Sequence, residues 1–151
     1  TLNPRLFDDQ LEYIANHAED RVLLYDRSFS ELVERMKPKW KTIEHYISFD
    51  DDFDALLDHE DGDYRWYEGD EREPCGLCYT SGTTGDPKGV LYEHRSTVLH
   101  AMSVIAPDIF DVSARSVMLP VVPMFHAGSW CIPYAAAIAG FYCLRQTGRR
   151  Y

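Results

Sequence analysis

Leu11, Ile14, Ala15 and Ala18 recur at intervals of three and four, which predicts an amphipathic helix capped by Asp8 or Asp9. The period then changes. Residues 22–25 form a continuous apolar run before Asp26 and predict a short buried strand. Ser28, with Glu31 three positions on, has the form of a capping box, and Leu32, Val33 and Met36 stripe a second helix that Pro38 ends. Residues 42–49, rich in β-branched and aromatic side chains, predict a second strand. A short helix near 53–57 and a polar connector follow. Pro74 then introduces a strand at 75–80, a loop to Gly89, and an apolar resumption at Val90 and Leu91. A helix over 94–106, a buried strand over 116–122 and a small-residue apolar helix over 127–139 complete the series. Alternation of this kind predicts an α/β layered fold.

Composition leaves that picture standing. A chain of 151 residues is long enough for one domain with its own core, and 45% hydrophobic residues exclude a disordered chain. The net charge of −10 is local: residues 50–73 hold 12 acidic and 2 basic side chains, and the remainder is neutral. Such a block reads as a solvated connector or an interaction tail. Neither reading suits nucleic acid, which demands clustered Lys and Arg. No stretch approaches the roughly 20 apolar residues that span a bilayer, and residues 1–14 lack the pattern of a signal peptide. The first residue is Thr, as in a fragment or a chain that has lost its initiator Met. Cys75 and Cys78 form a C-x-x-C pair, but the other zinc ligands are not in evidence and the motif opens no helix. Reduced thiols and a cytoplasmic protein, at most peripheral to a membrane, are the expectation.

The chemistry concentrates in residues 79–89. Three glycines (Gly82, Gly85, Gly89), four hydroxyls (Thr80, Ser81, Thr83, Thr84) and one cation, Lys88, follow a predicted strand. Glycine lets backbone N–H groups turn toward an anion, and hydroxyls add donors, so the segment is a phosphate cradle in outline. A flexible linker would need neither the flanking strands nor a Lys fixed beside Pro87. The G-x-x-x-x-G-K-[ST] loop of kinases and GTPases also fails: counted from Gly82, Pro87 stands where the second glycine belongs, Gly89 replaces the hydroxyl, and no helix follows.

TSGTTGDPKG closely resembles the signature loop of the adenylate-forming (AMP-binding) superfamily, which includes acyl-CoA synthetases, peptide-synthetase adenylation domains and luciferases. A second element resembles the same family: in residues 118–140 a Pro-x-Phe-His sequence follows an apolar run, as in the medium- and long-chain fatty-acyl-CoA synthetases. The opening TLNPRL is similar too, so the resemblance runs from the start to about Gly140. Read alone, His126 is more often a core histidine, and Trp130 is equally consistent with core packing.

The resemblance implies an α/β fragment of the family's large N-terminal domain over residues 1–151, with an acidic connector at 50–73, a divergent tail at 141–151 and no C-terminal domain. It implies a fatty-acid–CoA ligase reaction, in which a carboxylate attacks ATP to give acyl-adenylate and pyrophosphate, and coenzyme A then displaces AMP. On that basis Thr80, Ser81, Gly82, Thr83, Thr84, Gly85 and Lys88 would hold ATP, with Thr83 touching Mg2+. Lys88 and His126 would serve catalysis, and His126 and Trp130 would border the acyl substrate. The family's adenine-binding Tyr-Gly-x-Thr-Glu segment, its ribose-binding Asp and its C-terminal catalytic Lys have no counterpart here. Two expectations therefore stay open: a ligase portion inactive by itself, or a standalone nucleotide-binding or regulatory module.

Overall fold

The computed structural model describes residues 1–80, 85–126, 129 and 131–144. They fall into two compact units, one built from Leu2–Glu68 and Tyr79–Val90 and the other from Gly69–Cys78 and the chain from Leu91 onward.

In the first unit, α1 (Asp8–His17) buries Leu11, Ile14 and Ala15, the stripe its spacing predicts. The cap differs from expectation. Phe7, in extended conformation, takes the N-cap position, and its N–H donates to Gln10 Oε1 at 3.3 Å. Asp8 lies inside the first turn instead, where it suits the positive end of the helix dipole and accepts from Arg35 (3.1 and 3.2 Å) and Lys39 (3.3 Å). Glu19, with φ 56°, turns the chain out of α1 into β1 (Val22–Tyr25).

A 3-10 turn (Arg27–Phe29) opens on the Asp26 carboxylate, which accepts from Ser28 N at 2.9 Å, and runs into α2 (Ser30–Met36). Thus Asp26, not Ser28, makes the cap. β2 (His45–Ser48) pairs in parallel with β1, Val22 opposite His45 and Tyr25 opposite Ser48. The core is Leu11, Ala15, Val33, Met36, Trp40 and Ile43, with Leu23 and Tyr25 packed against it. Trp40 sends its indole N–H to Leu11 O at 3.2 Å, so the largest side chain in the core satisfies its polar atom. Only alternate residues of β1 face this core. Val22 and Leu24 are about half exposed, whereas the unbroken apolar run predicted burial on both faces. The connector contributes α3 (Phe53–Asp58), and its residues 59–70 are exposed as a solvated segment should be.

β3 (Pro74–Thr80) and β4 (Lys88–Glu93) are hydrogen-bonded neighbours. The connection of residues 81–87 is too short for a parallel crossover, so they form a hairpin. In the second unit, α4 (His94–Val104) buries Thr97, Ala101 and Val104, and Cys75 Sγ meets Thr97 Oγ1 at 3.3 Å. β5 (Val117–Met118) pairs in parallel with β6 (Tyr142–Cys143). The strand expected over 116–122 is thus two residues long and Val117 is exposed; Pro120 has no N–H for a ladder and Pro123 repeats the interruption. α5 (Ile132–Ala139) carries Pro133 in its first turn and ends at Gly140, whose φ of 74° is a left-handed cap suited to glycine. Val104, Cys131, Ile132, Ala135 and Phe141 form this unit's core. The four cysteines are free. Burial raises the Cys131 thiol above its ordinary value. Among the described residues no cluster of His, Cys, Asp or Glu could hold a metal, and no helix is long and apolar enough to cross a membrane.

The charge on Asp8 gives a test of the α1–α2 clasp. The Arg35 hydrogen bond, helped by Lys39, holds its carboxyl below the usual carboxylate range. A depressed folded value means that the stabilisation is complete above the unfolded carboxylate pKa and is lost as pH falls through the folded one. Asp8→Asn should therefore lower the thermal midpoint at neutral pH, and the difference from the parent should vanish under strongly acid conditions.

Candidate functional site

The hairpin β3–β4 presents the candidate phosphate loop between its strands. Thr80, the last residue of β3, donates its hydroxyl to the Lys88 carbonyl at 3.4 Å, so the two ends of the loop meet. Gly85 has φ 117°, a backbone conformation closed to ordinary side chains, although a Cβ there would meet nothing within 4 Å. Its glycine answers a conformational need, not a lack of room. Pro87 is buried and Lys88 exposed, so the proline anchors the exit of the loop while the ammonium stays open to solvent. The pairing of β3 with β4 brings Thr80 and Lys88 together, and Gly85 lies between them along the chain. Ser81, Gly82, Thr83, Thr84 and Trp130 lie outside the described residues.

His126 belongs to the other unit. It closes a turn in which its N–H donates to Pro123 O at 2.9 Å, and its own carbonyl accepts from Ser129 N at 2.9 Å. Phe125 is half-buried, His126 is exposed and Ser129 is buried. An exposed ring on a turn does not fit a core histidine.

One contact at the loop was not legible in the sequence. Tyr79 O–H and His17 Nδ1 lie 2.6 Å apart, joining the end of α1 to the strand that feeds the loop. The imidazole also stacks on Tyr13, with centroids 5.1 Å apart and planes at 28°. The only sequence signal is the spacing of Tyr13 and His17, which puts both on one face of α1; nothing in it indicates Tyr79. Burial, with the charges of Tyr13 and Asp20 adding to it, raises the Tyr79 phenol above its ordinary value.

Two shallow surface depressions are lined by other residues. One, of about 380 Å³, is bordered by Glu71, His94, Arg95, Val98 and Leu99. The other, of about 470 Å³, runs along α1 from Asp9 to His17. Thr80, Gly85, Asp86 and Lys88 are all exposed, and such a site suits an anion gripped by backbone and hydroxyl donors more than an enclosed organic ligand.

Comparison with known proteins gives one answer. Residues 1–148 match the family described as AMP-binding enzyme. The chain is 46% identical to the 3-methylmercaptopropionyl-CoA ligase of Ruegeria pomeroyi and 43% identical to the medium-chain-fatty-acid–CoA ligase of Ectopseudomonas oleovorans. Each alignment covers 93% of this chain and 28% of the relative, so the chain spans under a third of the length of these proteins. Among solved structures, the inhibitor-bound N-terminal domain of FACL13 from Mycobacterium tuberculosis superposes with a TM-score of 0.82 at 26% identity, covering 97% of this chain and 37% of that one. The α/β architecture is that of acyl-CoA synthetase N-terminal domains, and the chain belongs to the family of AMP-binding enzymes.

Proposed function

We propose that this chain is the part of a fatty-acid–CoA ligase that holds the terminal phosphates of ATP and borders the acyl substrate. The observation that carries the reading is the hairpin: a Gly-bearing turn closed by Thr80 and Lys88, with an exposed ammonium at its exit. The donor set fits a polyphosphate. Backbone N–H groups, the loop hydroxyls and Lys88 would act as donors, the chemistry a polyphosphate needs. When bound, ATP would supply the phosphoanhydride whose cleavage drives carboxylate activation, with CoA as the later acyl acceptor and Mg2+ sharing the phosphate charge through Thr83.

What this chain's own residues contribute is positioning and charge. Lys88 would neutralise the phosphates that leave as pyrophosphate, and a preorganised cation costs no solvent rearrangement at that moment. His126 and Trp130 would line the acyl side, where apolar neighbours suit an alkyl chain better than a polar amino acid, which would call for a charged anchor. Ligases acting on a thioether acid and on medium-chain fatty acids are about equally similar to the chain, so aliphatic acid is the substrate class proposed. The family's adenine, ribose and catalytic-lysine elements are not among these 151 residues. The chain by itself is expected to give no ATP–pyrophosphate exchange with a long-chain fatty acid.

The deciding experiment is a chimera in which residues 1–140 replace the matching segment of the Ectopseudomonas medium-chain ligase. Fatty-acid-dependent ATP–pyrophosphate exchange is expected to survive. A folded chimera without exchange would overturn the proposal. A second reading, a nucleotide-binding module, draws on one observation: the unit that carries the loop also carries its own buried core. Titration of the isolated chain separates the two, since a module must bind Mg-ATP through Lys88, whereas a ligase portion need not.

A further inference from the structure

We propose that His17 and Tyr79 are positioning residues of the phosphate loop, the imidazole holding the phenol and with it the end of β3 from which the loop starts. The inference rests on reading residues 79–89 as that loop, and it adds two side chains, one of them 62 positions upstream of the other.

Tyr79 and Thr80 are consecutive in β3, so their side chains point to opposite faces of the strand. Thr80 reaches across to the Lys88 carbonyl and Tyr79 reaches back to α1, which ties the root of the loop in two directions. The anchor on α1 is rigid for identifiable reasons. Leu11, Ile14 and Ala15 bury the helix in the core. Asn16 clasps the segment after α2, donating from Nδ2 to Lys39 O at 3.0 Å and accepting from Lys41 N–H at 2.7 Å. Tyr13 supports one face of the His17 ring, and Tyr79 meets the ring edge-on, with centroids 5.8 Å apart and planes at 84°. Every link lies within the unit that contains the loop.

The chemistry makes the tie permanent instead of switchable. A neutral imidazole with a free Nδ1 lone pair accepts a hydrogen bond from the phenol O–H; an imidazole protonated at Nδ1 donates to the phenol oxygen. Burial keeps the Tyr79 phenol protonated over the ordinary pH range, so both arrangements leave one hydrogen bond in place.

The test uses the 151-residue chain and two readouts. The first is amide hydrogen exchange by NMR at Thr80, Lys88 and Gly89, with Leu24 and Ile47 of the β1–β2 pair as controls. Tyr79→Phe and His17→Leu should each speed exchange at the hairpin amides about fivefold, the effect of one lost hydrogen bond, and leave the controls unchanged. His17→Asn, which keeps a polar atom near the Nδ1 position, should recover most of the protection. The double variant should be no worse than either single one. Unchanged hairpin exchange, an equal rise at Leu24 and Ile47, or additive single effects would overturn the proposal.

The second readout is the affinity for Mg-pyrophosphate. If the chain binds it, Tyr79→Phe and His17→Leu must each weaken binding while His17→Asn largely retains it, and unaltered affinity overturns the positioning role. If the isolated chain does not bind it, the variants are read in the chimera, where Tyr79→Phe and His17→Leu must raise the KM for ATP; a folded chimera inactive even with the parent segment, alongside the expected amide pattern, leaves the His17–Tyr79 tie standing and overturns the phosphate-loop reading.

Discussion

Leu11→Ala should destabilise the α1–α2 unit by about 2–5 kcal/mol, the range for truncating a fully buried leucine to alanine. Leu11 has no exposed surface and packs among Ala15, Val33, Met36, Trp40 and Ile43. Its carbonyl accepts the Trp40 indole N–H, so any collapse of the backbone into the vacated space would also pull on that bond. Restricted relaxation leaves a cavity, which places the cost toward the upper part of the range. Met36→Ala removes an equally hidden side chain of the same cluster and should fall in the same range. Against a total stability of about 5–15 kcal/mol for an ordinary domain, this single change is large enough to threaten the fold of the unit. Urea titration followed by tryptophan fluorescence in a Trp130→Phe background would read it, because Trp40 is buried whereas Trp66 is 80% exposed and contributes little change. A midpoint within experimental error of the parent would show that Leu11 is not a core residue.

Lys88→Ala should lower ATP–pyrophosphate exchange in the chimera by about tenfold to hundredfold. Loss of a charge-assisted hydrogen bond to phosphate removes about 1.5–3 kcal/mol, which corresponds to that factor. Lys88→Arg keeps the charge on a bulkier, forked head and should fall between the two. Since Lys88 is exposed and Pro87 holds the adjacent backbone, folding should be nearly unaffected, and circular dichroism of both variants should overlay the parent. Exchange that survives Lys88→Ala intact would take the ammonium out of the reaction and leave the loop with backbone and hydroxyl donors alone.

These two residues show where sequence reasoning reached and where it stopped. Leu11 belongs to a helical stripe that the spacing revealed, because a 3.6-residue period brings positions three and four apart onto one side of a helix and onto no single face of a strand. Lys88 is proposed from a motif whose flanking strands are present as β3 and β4. The errors came from context that local patterns do not encode. Asp8 had a capping side chain, but two cations lay within its reach, so it moved one step into the helix. The apolar run of β1 promised burial on both sides, yet the two-stranded sheet covers one face. The strand at 116–122 had hydrophobicity enough, but Pro120 and Pro123 deny it a ladder. His17 was invisible for a different reason: its partner is far along the chain, and the helix dipole alone is ordinarily enough to account for a histidine at a helix end.

The pairing pattern also fixes an order of assembly. The β3–β4 hairpin closes over residues 81–87, a short loop with a small entropic penalty, whereas β1 reaches β2 only across residues 26–44 and β5 reaches β6 across 119–141. Short loops close in tens of nanoseconds and hairpins in microseconds, so the loop's two strands can meet before either parallel pair has formed. On that ground the hairpin is expected to pair first, and the His17–Tyr79 contact to follow once α1 has found its core.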